Sequence, residues 1–473
     1  MAAVSVTALA GGQVELNAHT VESFGTSLDG SLIGRDSPGY EEARAVWNAM
    51  VEKRPVLIAR CAGAPDVKRS LDFARQHGLL FSVRGAGHNI AGSALCEGGL
   101  TVDLSQMRAV DVDTDAGTAR VQPGATLGDV DAATLPHGLA IPVGINSTTG
   151  IAGLTLGGGF GWLSRKYGLT IDSLLSADVV TADGRQLTAS ETENADLFWG
   201  LKGGGGNFGV VTSFEFRLRE AGPDLLCGLI VHPFSEGRNV LETYREFVAH
   251  ASDNMTVWAV LRDAPPLPFL PEEVHGTKVV VLAFVYAGDP ADGERELAPL
   301  RAYGNPHGDH IGVMPFAAFQ QAFDPLLTPG SRNYWKSHNF EALDVGLVDE
   351  VLAYTRSLPS PQSEIFIAQV GGEAARIPAD SAAYPHRDAA FVMNVHTRWE
   401  DAADDARCVG WAREFFDATA GYSTGGVYVN FVSDAEDEAR VTAAYGANYE
   451  KLQQVKVKYD PGNVFRTNLN IKP

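Results

Sequence analysis

A single histidine lies in a loop dense in small residues, at positions 83–93. The loop reads Val-Arg-Gly-Ala-Gly-His-Asn-Ile-Ala-Gly-Ser and follows a strand-like run at 79–83. Glycines at this density let backbone N–H groups approach an anion without clashes from Cβ atoms. The histidine, His88, would then lie beside whatever carries that anion. Taken alone, the segment also fits a tight turn with a solvated histidine.

Two more runs of small residues follow, at 150–161 and 203–211. Three loops of this kind in one half of the chain predict a long, phosphate-bearing cofactor that lies across them. Residues 204–209 match the dinucleotide fingerprint G-x-G-x-x-G. However, a helix is expected before them and a strand after them, which is the reverse of a Rossmann unit. We therefore expect no NAD-binding Rossmann domain.

The three loops, together with the C-terminal run Tyr-Asp-Pro-Gly-Asn-Val-Phe-Arg-Thr-Asn-Leu-Asn-Ile at 459–471, resemble FAD-linked oxidases of the vanillyl-alcohol oxidase type. Within that group the pattern is similar to the berberine-bridge-enzyme-like family, in particular its bacterial, 6-hydroxy-D-nicotine oxidase-like members. The resemblance runs from about Arg54 to the C-terminus. Its most specific parts are the histidine loop and the terminal run, whereas 225–362 carries little of it.

The resemblance implies that FAD is attached covalently to the chain. His88 matches the family histidine that bonds to the 8α-methyl carbon of the flavin. Many relatives have a second tether, from a cysteine, at a position that is Asn146 here, so we expect attachment through His88 only. The residues that the resemblance places at FAD are Arg84, Gly85, Ala86, Gly87, His88, Asn89, Ser93, Thr148, Thr149, Gly153, Leu154, Gly157, Gly161, Gly209, Val210, Val211, Asn430, Asn468 and Asn470.

Thr149 falls where members of the resembled family tune the access of oxygen to the flavin. A small residue at this position leaves room for O2, whereas leucine tends to block it. Thr149 therefore favours oxidase behaviour. The alternative, an ordinary turn threonine, fits the local sequence equally well.

The candidate catalytic residues are Tyr428, Asn394 and His396. In the predicted strand 391–399, a period of two puts Asn394 and His396 on one face. The run 427–431 is also predicted as a strand, with Tyr428 and Asn430 on a common face. Relatives carry phenolic or aromatic side chains where this chain has Phe160 and Ile90. Tyr428 or His396 would then handle the substrate proton while Asn394 positions the substrate. A purely structural role for these buried polar groups stays open.

The composition excludes several classes of partner. The chain has 473 residues and a formal net charge of −21, which would repel nucleic-acid phosphates and acidic membranes. Its four cysteines lie far apart, and His307 and His310 lack a third ligand nearby, so neither a disulfide scaffold nor a metal site is expected. Without a signal-peptide pattern or a long apolar run, a cytoplasmic, soluble protein is predicted.

Mixed hairpins and helices predict an α+β fold. A strand–Asp-Gly–strand hairpin at 179–187 is the strongest local signal. We expect an irregular lead-in at 1–38, an FAD-binding domain at 39–220, and a substrate domain at 221–421 with an antiparallel sheet covered by helices on one face. The resemblance implies that the FAD-binding domain has two subdomains, of the PCMH type, and that 422–473 returns to it.

The predicted function is that of an FAD-dependent oxidase. A small-molecule C–H next to oxygen or nitrogen would lose hydride to FAD, and O2 would reoxidise FAD to give H2O2. The expected partners are the substrate and O2, with the chain a monomer or a homodimer. One alternative is a carbohydrate oxidase, which needs an open groove. Another, suggested by similarity to mitomycin-resistance proteins, is a flavin-bearing protein that sequesters a drug-like molecule.

Overall fold

The structure is a computed structural model that describes residues 3–433 and 438–473. The strands of its first half are β1 (Val4–Thr7), β2 (Gln13–Leu16), β3 (Ser31–Gly34), β4 (Leu57–Arg60), β5 (Phe81–Arg84), β6 (Leu100–Asp103), β7 (Val110–Asp113), β8 (Thr118–Val121), β9 (Leu139–Ala140), β10 (Leu174–Val180), β11 (Gln186–Ser190), β12 (Val210–Arg217) and β13 (Arg219–Glu220). Its helices are α1 (Ala18–Ser27), α2 (Tyr40–Arg44), α3 (Ala64–His77), α4 (Leu127–Thr134), α5 (Ile151–Leu156), α6 (Ser164–Tyr167) and α7 (Ala195–Leu201).

The second half is built on longer strands. They are β14 (Asp224–Pro233), β15 (Met255–Asp263), β16 (Lys278–Tyr286), β17 (Gly308–Pro315), β18 (Arg332–Phe340), β19 (Glu364–Gln369) and β20 (Phe391–Trp399). The remaining helices are α8 (Gly237–His250), α9 (Pro290–Arg301), α10 (Phe316–Gln320), α11 (Val345–Arg356), α12 (Glu373–Arg376), α13 (Asp405–Thr419), α14 (Glu438–Tyr445) and α15 (Tyr449–Tyr459).

Two sheets organise the first half. The four-stranded sheet has the order β3-β4-β6-β5, with β4, β6 and β5 parallel, and β5 leads into the histidine loop. The five-stranded sheet has the order β11-β10-β12-β8-β7 and is antiparallel. The predicted Asp-Gly hairpin is confirmed as β10–β11, and Gly184 in its turn has a φ of 81°. Helix α7 precedes the third glycine run and β12 follows it, the order expected for a loop that is not a Rossmann fingerprint.

The prediction of an irregular lead-in at 1–38 is wrong. Strands β1 and β2 form an antiparallel hairpin, α1 follows, and β3 joins the four-stranded sheet. The polar composition of this segment reflects turns and caps rather than irregular chain, since the side chain of Asn17 accepts a hydrogen bond from the backbone of Thr20 and caps α1. Helix α2 is short, because the chain becomes extended at Ala45.

The sheet of the second half has seven antiparallel strands in the order β17-β14-β16-β15-β19-β20-β18. Alternate residues of each strand face opposite sides. One side packs against helices α8, α11 and α13, as in the cluster of Val257, Met393, Tyr244, Val348 and Phe415. The other side, which carries Trp258 and Val392, packs against Phe160 of the first half. The predicted α+β fold with helices on one face of an antiparallel sheet is confirmed.

The C-terminal segment contacts the third glycine run. The ammonium of Lys456 on α15 donates to the carbonyl of Asn207 (2.9 Å), to Asp460 (2.6 Å) and to the carbonyl of Phe465 (3.0 Å). The side chain of Asn207 in turn donates to the carbonyl of Leu469 and accepts from the backbone of Ile471. The end of the chain is therefore hydrogen-bonded to the loop at 203–211.

Two features are absent from the residues that the structure describes: a membrane-spanning helix and a cluster of metal-ligating side chains. No helix in residues 3–433 and 438–473 is both long and apolar enough to cross a membrane. No three His, Cys, Asp or Glu side chains of the same residues are grouped so that they could hold a metal ion.

Candidate active site

A cavity of about 340 Å³ lies where the glycine loops, the C-terminal run and the seven-stranded sheet meet. Its wall contains residues from all three glycine runs. The predicted site residues that line it are Gly85, Ala86, Gly87, His88, Asn89, Ser93, Thr149, Gly153, Leu154, Gly209, Val210, Val211, Asn394, His396, Tyr428, Asn430 and Asn468. The structure therefore brings together residues more than 300 positions apart.

Five predicted cofactor residues do not belong to this wall: Arg84, Thr148, Gly157, Gly161 and Asn470. The guanidinium of Arg84 donates to the carbonyl of Ala43 and lies beside Gly87, where a Cβ atom would be 3.2 Å from its Nε. Asn470 has a buried side-chain oxygen without a hydrogen-bond partner.

Two other members of this group, Gly157 and Gly161, pack closely against residues in or next to the wall. A Cβ atom at Gly157 would lie 2.3 Å from Oδ1 of Asn430, and one at Gly161 would lie 1.9 Å from the carbonyl oxygen of Val143. Either atom would clash. These glycines therefore permit close packing of the second glycine run against its neighbours.

His88 is held by a chain of hydrogen bonds with a defined direction. The backbone N–H of Thr148 donates to Oδ1 of Asn146 (3.0 Å), which fixes that oxygen as an acceptor. The hydroxyl of Thr148 donates to the same oxygen (2.7 Å) and thus accepts from Nε2–H of His88 (3.0 Å). In the neutral ring the lone pair then lies on Nδ1, which has no hydrogen-bond partner in the described residues.

The surroundings of His88 favour that neutral form. Trp47 stacks on the imidazole with ring centroids 4.6 Å apart, and the guanidinium of Arg398 lies 5.4 Å from the centroid of the same indole. Burial and the positive charge of Arg398 lower the pKa of His88 below its ordinary value. The ring is therefore uncharged at neutral pH.

The predicted strand at 427–431 is wrong. Residues Val429–Phe431 form a 3-10 turn, closed by a hydrogen bond from the backbone N–H of Phe431 to the carbonyl of Tyr428 (2.9 Å). The turn folds the side chain of Asn430 back, so that its Nδ2 donates to the hydroxyl of Tyr428 at 3.0 Å. The backbone N–H of Gly159 donates to the same hydroxyl at 3.1 Å. Two donors thus converge on one buried phenolic oxygen.

The charge on that oxygen is set by two opposing effects. Burial raises the pKa of Tyr428 to about 12, while the donors from Asn430 and Gly159 lower it. Tyr428 is consequently a phenol at neutral pH, with its own O–H left to donate. If it loses its proton, the two donors stabilise the phenolate.

His396 lies in a network that occupies both of its nitrogens. Nδ1 is 3.1 Å from Oε1 of Glu364, and Nε2 is 3.3 Å from Oδ1 of Asn333. The amide of Asn333 is oriented by its donation to the carbonyl of Ser331 (2.8 Å). The second oxygen of Glu364 accepts from Arg262 at 2.5 Å. Burial lowers the pKa of His396 and Glu364 raises it, with a lowered pKa as the result.

The cavity fits a large cofactor with hydrogen-bonding groups. Four of the wall residues named above are glycines, namely Gly85, Gly87, Gly153 and Gly209, so that backbone reaches the cavity surface. Asn468 lines the wall, and its Oδ1 is buried without a partner while its Nδ2 donates to the carbonyls of Gly206 and Phe465. A buried acceptor left in this state favours a ligand that donates to it.

Comparison with known proteins decides the family. Residues 55–190 match the model of the FAD binding domain, and residues 427–472 match the model called berberine and berberine like. The uncharacterized FAD-linked oxidoreductase YgaK of Bacillus subtilis is 31% identical over 458 residues, which are 95% of this chain and 98% of that protein. The chain belongs to the berberine-bridge-enzyme-like family of FAD-linked oxidoreductases.

Two further relatives of this FAD-linked oxidoreductase have named activities. The crystal structure of 6-hydroxy-D-nicotine oxidase from Arthrobacter nicotinovorans superposes with a TM-score of 0.84 at 30% identity, covering 94% of this chain and 98% of that one. Xylooligosaccharide oxidase from Thermothelomyces thermophilus is 28% identical over 467 residues, covering 92% of this chain and 90% of that protein.

Some residues that line the cavity of this berberine-bridge-enzyme-like chain lie outside its sequence motifs. Its aromatic members Trp47, Trp335, Trp258, Phe366 and Phe431 lie outside the recognised loops. Glu364 was also missed, although a carboxylate at the start of an otherwise apolar strand was a usable signal. For the aromatic residues, the sequence offers no comparable signal, because single rings in strands are typical of any core.

Proposed function

We propose that this protein is an FAD-dependent oxidase with FAD attached through His88 alone. It takes hydride from a C–H next to oxygen or nitrogen of a small molecule, and O2 then accepts the electrons to give H2O2. The observation that carries the proposal is the state of His88: a neutral imidazole, oriented through Thr148, at the wall of a glycine-lined cavity. When bound, FAD supplies the hydride acceptor.

The residues that would hold FAD are those of the wall. His88 offers the Nδ1 lone pair for the covalent bond, and Asn146, with its side-chain amide, offers no second nucleophile. The backbone of the three glycine runs and the free Oδ1 of Asn468 supply polar contacts. These contacts do not depend on the bond to His88, so non-covalent binding is expected to survive its loss.

Tyr428 is the group that we propose to receive or orient the substrate proton. Its oxygen is buried and carries two donors that stabilise a developing negative charge, as in an oxyanion hole. His396 is the less favourable candidate, because both of its nitrogens already face Glu364 and Asn333. Asn394 lies on the same face of β20 as His396 and positions the substrate.

The decisive experiment is a peroxide-coupled screen of the purified holoprotein. Alcohols, amines, phenolic natural products and sugars are each added, and H2O2 is measured against enzyme concentration. An oxidase forms peroxide over many turnovers. Binding of a compound without turnover would instead identify a sequestration protein, and turnover confined to sugars would identify a carbohydrate oxidase, as in the xylooligosaccharide oxidase relative.

A further inference from the structure

The side chain of Asn394 is the most unusual polar group of the cavity wall. It is only 1% exposed, yet neither Oδ1 nor Nδ2 has a hydrogen-bond partner among the described residues. Buried amides are normally paired, so an amide with both atoms free points to a ligand that supplies a donor and an acceptor side by side. Trp335, on the neighbouring strand β18, also lines the cavity, and its Nε1–H has no partner in the part of the chain that the structure describes.

The wall around these groups is aromatic. Phe431 has its ring 5.5 Å from that of Trp335 and 5.9 Å from those of Phe160 and Phe366, all measured between centroids and all edge-on. Trp258 stacks on Phe366 at 5.8 Å. Such a wall packs favourably against a planar ring. A sugar would leave several hydroxyl groups facing apolar surface there.

The charged groups of the wall are already neutralised by protein. Glu364 is paired with His396 and Arg262, and His396 also faces Asn333. A charged substrate would lose hydration in this aromatic chamber without gaining a free counter-charge from either group. The wall therefore favours a neutral ring system.

We propose that Asn394 clamps the edge of a neutral, planar aromatic substrate that presents an N–H beside a carbonyl, as a lactam does. Oδ1 of Asn394 accepts from the ring N–H while Nδ2 donates to the carbonyl oxygen. The inference deepens the oxidase proposal, on which it rests for treating the cavity as the substrate chamber. It concerns recognition only and specifies no reaction step.

The test uses 2-quinolone and N-methyl-2-quinolone, a matched pair that differs in the ring N–H. Both are titrated into the holoprotein by isothermal titration calorimetry, which needs no turnover. We expect 2-quinolone to bind about tenfold or more tightly than its N-methyl derivative, since one ligand makes both hydrogen bonds and the other cannot. In Asn394→Leu the ratio of the two dissociation constants should fall to near one.

Asn339→Leu is the matched control. Asn339 lies on β18, is fully buried and also has an unpartnered amide, but it does not line the cavity. This variant should keep the wild-type ratio. If Asn394→Leu fails to fold, Asn394→Asp takes its place in the test. Aspartate has the same size, keeps an acceptor and loses the donor, so this variant should bind 2-quinolone more weakly.

Three binding results would overturn the proposal: a wild-type ratio near one, an unchanged ratio in Asn394→Leu, or tighter binding of xylobiose than of 2-quinolone. A changed flavin absorption spectrum in ligand-free Asn394→Leu, with quinolone binding intact, would assign the amide to the cofactor instead and equally overturn it. Failure of the oxidase proposal is separate, because it would show in the peroxide screen and leave the calorimetric ratio unaffected.

Discussion

At the scale of single residues, the direction of hydrogen bonds decides what each group can do. Asn146 is fixed as an acceptor by the backbone of Thr148, and this fixes the proton of the Thr148 hydroxyl and then that of His88. The lone pair of His88 is consequently on Nδ1. Asn146 thus has a role in the alignment of the histidine.

This chain of bonds predicts how covalent attachment responds to substitution. His88→Ala should abolish it and still allow FAD to bind non-covalently. Thr148→Val removes the acceptor for Nε2–H, so both tautomers of His88 become populated and attachment should slow severalfold, whereas Thr148→Ser should keep the wild-type rate. The measurement is flavin retained in the acid-precipitated pellet over time after FAD is added to apoprotein. A flavin-labelled peptide without His88 would contradict the assignment.

Thr149 predicts the reactivity of the reduced protein with oxygen. Its short side chain is half-buried in the cavity wall. Thr149→Leu fills space there and should slow reoxidation by air, while anaerobic reduction by substrate stays nearly unchanged. Stopped-flow absorbance separates the two half-reactions. If the wild type itself reoxidises as slowly as a dehydrogenase, O2 is not its acceptor.

Tyr428 and His396 predict rises of the rate of flavin reduction in different pH ranges. A base works after losing its proton, so its rate rises with pH through its pKa. Burial raises the pKa of Tyr428 to about 12, hence the rate should keep rising through the alkaline range if Tyr428 is the base. Burial lowers the pKa of His396 below its ordinary value, hence a histidine base would show only an acidic limb.

Substitution tests the same assignment. Tyr428→Phe should lower the rate of anaerobic flavin reduction by roughly 10²-fold or more and remove the alkaline rise. His396→Ala should leave that rise in place, because its nitrogens face Glu364 and Asn333. A larger loss in His396→Ala would transfer the role to histidine. Wild-type rates in both variants would show that neither side chain is the base.

At the scale of elements, the glycine runs serve two different purposes. A Cβ atom at Gly150 would lie 2.8 Å from Cβ of Ala86 and 3.0 Å from its backbone nitrogen, so this glycine lets the second run pack on the histidine loop. A Cβ atom at Gly153, one turn into α5, would meet nothing within 4 Å and would extend into the cavity instead. The fold therefore requires the first glycine, whereas the space beside the second is open to the cavity.

Alanine substitutions at Gly150 and Gly153 are expected to affect two different properties, the stability of the apoprotein and the binding of FAD. Gly150→Ala should destabilise the apoprotein by about 1–3 kcal/mol through overpacking. Gly153→Ala should leave apoprotein stability equal or slightly higher, since alanine favours helix, and should reduce FAD incorporation. Thermal unfolding of apoprotein and FAD content of reconstituted protein give the two readouts. Equal FAD incorporation in Gly153→Ala and wild type would show that no close backbone contact is needed there.

At the scale of the whole molecule, the end of the chain is hydrogen-bonded to its first half. Lys456 and Asp460 are fully buried, one turn apart on and after α15, and both contact backbone of the terminal run. Burial lowers the pKa of Lys456, with Asp460 opposing the shift. Because the same lysine reaches Asn207, the third glycine run and the terminal run are tied through one buried cation.

Lys456→Met should therefore be strongly destabilising. It leaves the carboxylate of Asp460 buried without its partner, which typically costs about 3–5 kcal/mol. Lys458→Met, two residues away, removes an ammonium that is paired with Asp196 at the surface and should change stability little. Denaturant unfolding of the two variants gives the comparison. Similar losses in both would mean that the buried pair does not hold the terminal run.

The sequence by itself determined the parts of this protein that depend on local pattern. The histidine loop, the hairpin β10–β11, and the common face of Asn394 and His396 follow from glycine content, turn chemistry and a period of two, which are properties of neighbouring residues. The helical face of the seven-stranded sheet follows from the same alternation. The terminal run was recognisable because its motif is contiguous.

Only the tertiary structure decided how distant groups meet. The turn at Val429–Phe431 brings Asn430 to the hydroxyl of Tyr428, where a strand would have kept the two side chains parallel and apart. The engagement of both nitrogens of His396 depends on Asn333 and Glu364, from two flanking strands. The physical reason is that packing between distant segments sets the hydrogen-bond partners and the burial of each group, and therefore its protonation state. The local sequence of neither segment indicates which distant segment will pack against it.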